Sequence, residues 1–520
     1  MDNIQILWVD DEIDLLKPHI IFLEEKGYKV DTINNGSEAL EMVEEKHYDL
    51  VFLDENMPGL SGLETLQRVK TLQSGLPVVM ITKSEEESIM DDAIGSQISD
   101  YLIKPVNPKQ ILLTIKKNLD TKRLVSQKTT SNYQQEFRQI GMDLAQVNDT
   151  EGWSDLYKRL VYWELELDKL EDESLNEILL TQKKEANSQF FKFIERNYED
   201  WLHGDEDAPV MSHTLFQKWV YPRIRQDENV FWVVIDNLRH DQWKIIQPIL
   251  EEYYITEEEK SFYSILPTAT QYARNALFSG LMPLEIQKRF KDKWIGDTDE
   301  EGKNQYEEDF LRDQLQRLGL GDMKFSYNKI TNHGQGKKLA ENIANLSGNQ
   351  LNVVVYNFVD MLSHARTDMS MIRELAADES AYRSLTQSWF QHSPLLDLLK
   401  LISEKGLKVV ITTDHGTYRV KKPFKVAGDK NVNTNLRYKQ GKNLGYKGKN
   451  GIFDVARPEH IHLPKPNVST AYLFGTEDTF FAYPNNFNHY VKYYKDTFQH
   501  GGISMEEMII PLISLTSKRG

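Results

Sequence analysis

No cysteine occurs among the 520 residues of this chain. Disulfides and thiolate metal sites are therefore excluded, and any metal must be held by carboxylate, imidazole, hydroxyl or carbonyl groups. Also missing is any apolar run near the roughly 18 residues that a membrane span requires. The opening "MDNIQILWVDDE" lacks the basic flank and long apolar core of a secretory signal. A cytoplasmic protein without membrane insertion is the expectation. There is no overall basic excess: the formal net charge is -17, which opposes non-specific association with polyanions. Nor is there a helix-turn-helix pattern with a basic recognition helix, the usual reader of duplex DNA.

What remains is an ordinary globular composition, 40% hydrophobic and 27% charged, in a chain long enough for about two to four domains. In the first 120 residues, "IQILWV", "KVDTI", "YDLVFL", "PVVMIT" and "DYLI" read as strands. Amphipathic stretches lie between them, and "EIDLLKPHIIFLEEKG" reads as one helix ending at Gly27. Strand and helix in alternation predict a parallel, doubly wound sheet over 1–120. Over 121–208 the β pattern stops, and "LYKRLVYWELELDKL" and "SQFFKFIERNYEDWL" carry apolar residues at helical spacing. These predict a helical-bundle linker whose Trp and Leu stripe is core. Over 209–520 the runs "VFWVVID", "LNVVVYNFVD", "LKVVITTD" and "AYLFG" predict a second, larger α/β domain. The acidic stretch from Asp297 to Asp309 reads as an inserted surface helix or loop.

In the first domain, acids fall at strand ends: Asp10 and Asp11 after the first strand and Asp54 at the end of the third. The ends of parallel strands converge, so these carboxylates crowd one pocket and repel each other. Mg²⁺ resolves that repulsion and keeps positions open for water and phosphate oxygens. Thr82 and Lys104 end the fourth and fifth strands, where a hydroxyl and an ammonium could bind a phosphoryl group on Asp54. "WVDDE", "LDENMPGLSG", "ITK" and "YLIKPV", in this order and spacing, resemble the receiver domain of bacterial response regulators. The resemblance implies phosphotransfer from a sensor histidine kinase to Asp54, with Mg²⁺ on Asp10, Asp11, Asp54 and the Asn56 carbonyl. Tyr101 takes the switch aromatic position. Lys83 departs from the family, which has a small residue after the threonine, and this bears on the lifetime of the phosphorylated state.

The larger domain repeats the habit of ending apolar strands in ligand-type residues. Asp236 ends "VFWVVID", Asp360 ends "NVVVYNFVD" with His364 four residues on, Asp414 and His415 end "VVITTDH", and His500 precedes two glycines. Each alone has an ordinary explanation, such as a helix N-cap or a surface histidine. Six such groups converging on one sheet edge would be costly without cations. "ILPTATQYARNALFSG" places Thr270 near a helix N-terminus, where backbone N–H groups favour anions. A threonine is a nucleophile only when a metal or base removes its proton. From Arg419 to Lys449 there are ten Lys or Arg against one acid, Asp429, with Tyr418, Phe424, Tyr438 and Tyr446 in or beside the stretch.

The order Asp236, Thr270, Asp360/His364, Asp414-His415, His500 resembles the alkaline phosphatase superfamily. "DNLRHDQW", "LPTATQYARNALFSGLMP" and "TTDHGT" are similar to its PglZ-type branch. Receiver, helical linker and PglZ domain together resemble the response regulators tied to type IX secretion, over essentially the whole chain. The resemblance implies one metal on Asp236, Thr270, Asp414 and His415 and a second on Asp360, His364 and His500. Oxygen and nitrogen ligation without sulfur fits two Zn²⁺ ions best, and Mn²⁺ stays open on ligand type alone. Thr270 would attack phosphorus in line, and Arg274, one turn on, would hold a non-bridging oxygen. Ala273 stands where the nucleotide branch has asparagine, so phosphate recognition should differ. The basic, aromatic stretch suits a nucleotide or short oligonucleotide diester. The expected protein is a phosphorylation-controlled metallo-phosphodiesterase that dimerises through its receiver. The alternative is a signalling adaptor with a structural metal site that binds a sigma factor or another protein.

Overall fold

The computed structural model describes residues 4–73, 75–83, 98–170, 173–225, 229–297, 303–376, 378–428, 432–448 and 450–518. Two compact units divide the chain, Met1–Gln135 and Glu136–Gly520.

The first unit carries the five expected strands: β1 (Gln5–Val9), β2 (Lys29–Ile33), β3 (Leu50–Asp54), β4 (Val78–Thr82) and β5 (Asp100–Ile103). All pairs are parallel, in the order β2-β1-β3-β4-β5. Central β3 and β4 are buried on both faces because their side chains alternate between two cores. Leu53 and Met80 join one core, and Phe52 and Ile81 join the other. The helix expected over "EIDLLKPHIIFLEEKG" is split into a 3₁₀ turn, Ile13–Leu16, and a helix, Lys17–Glu25. Pro18 accounts for the break, since a residue without an N–H suits the first turn of a helix and not its interior. Gly27, at φ +91°, takes the left-handed position after that helix.

Three linker helices follow, Pro108–Leu144, Thr150–Asp168 and Glu173–Leu202. Asp149 caps the second by accepting from the Gly152 N–H at 2.8 Å. Their aromatic stripe is core: Trp153, Tyr157, Phe190, Phe193, Tyr198 and Trp201 are buried. Part of it packs on the larger domain, since the Trp201 ring lies 5.7 Å from that of Tyr263.

That domain is built on a six-stranded sheet. In chain order its first five strands are β6 (Val230–Ile235), β7 (Tyr254–Tyr263), β8 (Phe325–Ile330), β9 (Leu351–Tyr356) and β10 (Lys408–Thr412). The sixth is the C-terminal strand Ile509–Ser517, which lies between β7 and β10 and is antiparallel to both. From β10 the sheet continues through β6 and β9 to β8, all parallel. Along "VFWVVI", Phe231, Val233 and Ile235 enter one core while Val230, Trp232 and Val234 enter the other. That alternation is why the strand is apolar at every position. "AYLFG" is a strand, Thr470–Gly475, but it belongs to a separate three-stranded antiparallel sheet with Tyr438–Lys442 and Ile452–Val455. No helix among the described residues is long and apolar enough to cross a membrane.

Candidate active site

In the receiver unit, convergence of strand ends brings Asp10, Asp11 and Asp54 within 4.8 Å of one another through their carboxylate oxygens. Asp10 and Asp54 are buried, whereas Asp11 is exposed. Lys104 reaches both buried acids, Nζ lying 2.8 Å from Asp10 and 3.0 Å from Asp54. Burial pushes the Asp54 carboxyl up and the repulsion of Asp10 adds to this, with the Lys104 ammonium pulling the other way. Burial would lower the Lys104 ammonium, but its two acidic partners hold it above the ordinary lysine value. Thr82, buried at the end of β4, completes the set, and Tyr101 stays exposed on β5. Lys83 points to Glu12, 2.9 Å away. An acidic cluster open on one side fits a hard divalent ion, with Asp11 facing solvent where water ligands would enter.

In the larger unit, the ends of three parallel strands, β6, β9 and β10, and the loops that carry Thr270 and His500 build a second pocket. Asp236 follows β6, Asp414 and His415 follow β10, and the ligand atoms of these three lie within 4.8 Å of one another. Thr270 opens the helix Thr270–Ser279, and its Oγ1 lies 2.9 Å from His415 Nε2 and 3.4 Å from Asp236 Oδ1. A second trio, Asp360, His364 and His500, meets the same 4.8 Å limit. Asp360 and His364 come from one face of the helix Phe358–Asp368, their charged ends 3.6 Å apart. The trios adjoin, because the His415 and His500 rings stack with centroids 4.3 Å apart.

The tautomers follow from the hydrogen bonds. His415 Nδ1 lies 3.2 Å from the Gly416 carbonyl, and His500 Nδ1 lies 3.2 Å from the Thr268 carbonyl. A carbonyl only accepts, so each Nδ1 carries the proton and each Nε2 offers its lone pair to the pocket. Asp360 Oδ1 and Asp414 Oδ2 are buried and accept no hydrogen bond. Burial drives the Asp236 carboxyl up to about 6, with Asp414 adding to this and Arg274 opposing it. Burial also raises Asp360 to about 6, and Asp236 adds to that rise. Burial holds the His500 imidazole well below its usual value, and His415 beside it adds to this. Imidazole nitrogens, orphaned carboxylate oxygens and raised carboxyls describe a pocket whose donors suit cations with mixed oxygen and nitrogen preference.

Arg274 lies behind Asp236. Its guanidinium is buried, with Nη1 2.7 Å from Asp236 Oδ2 and Nε 2.6 Å from Glu307 Oε1. Nε and Nη1 are engaged by carboxylates, so Arg274 holds Asp236 in place. Burial would raise the Glu307 carboxyl, but Arg274 and Lys329 keep it below the ordinary range. The acidic stretch is only partly a surface element where it is described, with Glu308 exposed. Glu307 is buried, and the Asp297 carboxylate accepts from the hydroxyls of Tyr272 and Tyr438, each at 2.9 Å. A signal for Glu307 was present: it shares a helix face with Phe310, Leu311 and Leu315, all buried. Part of the basic stretch is structural too. Arg437 is buried in a paired fork on Glu507, while Lys421 and Lys425 remain exposed.

Three family models match the chain. A response regulator receiver domain covers residues 6–116, a PorX response regulator linker domain covers 123–202, and a BREX system PglZ alkaline phosphatase-like domain covers 215–515, more than half of the chain. Among curated relatives, the transcriptional regulatory protein ZraR of Klebsiella oxytoca is 35% identical over 140 residues, 27% of this chain and 32% of that protein. The CpxR homolog of Haemophilus influenzae is 40% identical over 114 residues, 22% of this chain and 48% of the relative. The chain thus spans under half the length of these relatives. A CheY-like receiver structure from Methanospirillum hungatei JF-1 is 29% identical, covering 23% of this chain and 96% of its own, with a TM-score of 0.23. The receiver match implies a phosphodonor such as a histidine kinase.

Proposed function

The chain belongs to the BREX system PglZ alkaline phosphatase-like family, carried in the receiver–linker–PglZ order of a PorX response regulator, and from that premise we propose that it is a phosphorylation-controlled phosphodiesterase. The observation that carries this reading is the Thr270 hydroxyl, set between Asp236 and His415 at the start of a helix and beside a second ligand trio. A structural metal site would have no use for a hydroxyl placed there.

Asp236, Thr270, Asp414 and His415 would hold one zinc ion, and Asp360, His364 and His500 a second. Bound there, the two ions would supply Lewis acidity, easing proton loss from the threonine and from water and offsetting phosphate charge. The chain's own groups do the rest. Thr270 Oγ1 gives up its proton and bonds to phosphorus as the ester oxygen departs, which leaves a phosphothreonine. Water then breaks the Oγ–P bond, and two in-line displacements give net retention at phosphorus. The N–H groups at the start of the Thr270–Ser279 helix face the anion. Arg274 and Glu307 fix Asp236 so that its remaining oxygen points to the threonine.

The substrate class is a nucleotide or short oligonucleotide diester. Beyond Arg274, whose Nε and Nη1 are engaged by carboxylates, no extra cation of the kind a dianionic monoester demands stands among the described groups beside Thr270, while exposed Lys421 and Lys425 suit a longer anion. Asp54 takes the phosphoryl group from a histidine kinase, with Mg²⁺ held by Asp10, Asp11, Asp54 and the Asn56 carbonyl. Phosphorylation drives dimerisation, and the output serves type IX secretion control in the cytoplasm. The deciding experiment compares hydrolysis of bis(p-nitrophenyl) phosphate and p-nitrophenyl phosphate by zinc-loaded wild type and Thr270→Ala. Diester turnover that disappears in the variant, with zinc retained, supports the reading. No diester turnover by zinc-replete wild type sinks it.

A further inference from the structure

The loops that carry Thr270 and His500 are held from outside by one linker helix. In Glu173–Leu202, the Asn187 amide donates to Glu506 Oε2 at 3.0 Å and accepts from the Met505 N–H at 2.8 Å. Lys183, one turn earlier, lies 3.3 Å from Glu506 Oε1. Three turns after Asn187, about 16 Å along the axis and on the same stripe, the Tyr198 hydroxyl accepts from the Leu266 N–H at 2.7 Å. Leu266 immediately precedes the Pro-Thr-Ala-Thr segment that ends in Thr270. Asn187 and Tyr198 are both buried, so water cannot substitute for either bond.

The turn gripped by Asn187 is where the metal-site loops hang. Glu507 accepts from the Gly502 N–H at 2.9 Å through its side chain, and its carbonyl accepts from the Gly416 N–H at 3.3 Å. A Cβ on Gly416 would stand 2.0 Å from the Glu506 carbonyl oxygen, so backbone meets backbone there without slack. Gly416 follows His415, and Gly502 lies two residues past His500. The two gripped loops also lock to each other: Thr268 Oγ1 donates to the Gly502 carbonyl at 2.8 Å and accepts from the Gly501 N–H at 3.1 Å. A shift of the helix by a fraction of an ångström therefore reaches the nucleophile and ligands of both trios together.

We propose that the linker helix Glu173–Leu202 is a positioning element of the phosphodiester site, with Asn187 and Tyr198 setting the loops that present Thr270, His415 and His500. This deepens the regulation of the proposed activity and rests on that reading of the site. It places control of the site in the segment that separates receiver from catalytic domain in the sequence.

The test uses full-length, zinc-loaded protein with Asn187→Ala and Tyr198→Phe, and Glu195→Ala on the exposed face of the same helix as control. Zinc retention is read by competition with a chromogenic chelator, and turnover with bis(p-nitrophenyl) phosphate. Groups that orient metal ligands cost about 10- to 100-fold when removed. Each of the two variants should lose zinc at a correspondingly lower chelator concentration, with kcat falling about tenfold and KM unchanged. The double variant should be no worse than the worse single one, because Thr268 joins the loops into one unit. Folded variants that retain zinc and turn over like wild type overturn the proposal, as does equal damage from Glu195→Ala. If Asn187→Ala does not fold, Tyr198→Phe, which removes only a hydroxyl, decides alone. Zinc retention needs no substrate, so a wild type that binds zinc without diester turnover sinks the phosphodiesterase reading and leaves positioning to the chelator result. A wild type that holds no zinc sinks both.

Discussion

The receiver pocket and the larger pocket pose one electrostatic problem and answer it differently. Both gather carboxylates at the C-terminal ends of parallel strands, where the fold makes them converge. The receiver supplies its own cation: Lys104 bridges Asp10 and Asp54 from β5's end, and Asp11 stays in solvent. In the larger pocket the trio Asp236, Asp414 and His415 is buried while His364 of the second trio is exposed, and the internal cation, Arg274, lies behind Asp236, with Asp360 and Asp414 keeping orphaned oxygens. This pocket adds three histidines where the receiver trio has none. An oxygen-only cluster suits a hard ion that keeps its water, whereas a set rich in imidazole suits zinc. The strand ends explain why acids meet; the second donor type decides what they can bind.

The largest effect should separate the two pockets completely. Thr270→Ala should lower diester turnover by a factor on the order of a thousand or more, as loss of a nucleophile does, while phosphotransfer to Asp54, read with radiolabelled phosphodonor, stays at the wild-type rate. Asp54→Ala should do the reverse, abolishing phosphotransfer and leaving unstimulated turnover in place. If Thr270→Ala retained turnover, the nucleophile assignment would be wrong.

Next comes the internal cation of each pocket. Arg274→Met leaves Asp236 and Glu307 buried without their partner, and breaking such a pair costs about 3–5 kcal/mol. Lys104→Met removes the cation from a cluster with one exposed member, so water and Mg²⁺ can replace it. The unfolding free energy in urea should therefore fall by several kcal/mol for the larger unit in Arg274→Met. For the receiver unit in Lys104→Met it should fall by about 1 kcal/mol, and added Mg²⁺ should restore part of that. Equal losses in both variants would break the comparison.

How much of this was legible in the sequence depends on which force placed each residue. The five receiver strands, the three central strands of the larger sheet and the strand-end acids were readable, because burial on both faces writes itself as continuous apolar runs. Strand β7, "YITEEEKSFY", escaped notice because it is an edge strand with charged residues facing solvent. "AYLFG" was apolar enough to mimic a central strand, yet periodicity cannot say which sheet a strand joins. The clustered acids and histidines came with their motifs. Glu307, Asn187 and the Glu506–Glu507 turn did not, because their roles depend on partners 33 to 319 positions away in the chain. Arg274 was found for its spacing, which gave its helix face but not the buried Glu307 that its Nε engages.

The smallest effect contrasts two lysines. Lys104 has two acids at hydrogen-bond distance and a raised pKa, so its stabilisation is fully present below the unfolded lysine value and is lost only as strongly alkaline pH passes the folded one. Lys439, on the strand Tyr438–Lys442, is buried with its ammonium on the Asn433 carbonyl at 2.9 Å. Burial lowers its pKa to about 7, with the Asp297 charge opposing. Between that value and the ordinary lysine pKa the unfolded chain binds the extra proton, so stability gained from this group rises with pH. Raising the pH from 7 to 9 should favour the folded larger unit by about 2 kcal/mol more in wild type than in Lys439→Met. Urea unfolding of both proteins at both pH values isolates that difference from every other titrating group they share. A difference near zero would mean that Lys439 stays charged in the fold, held as Lys104 is, and the contrast between the two would be lost.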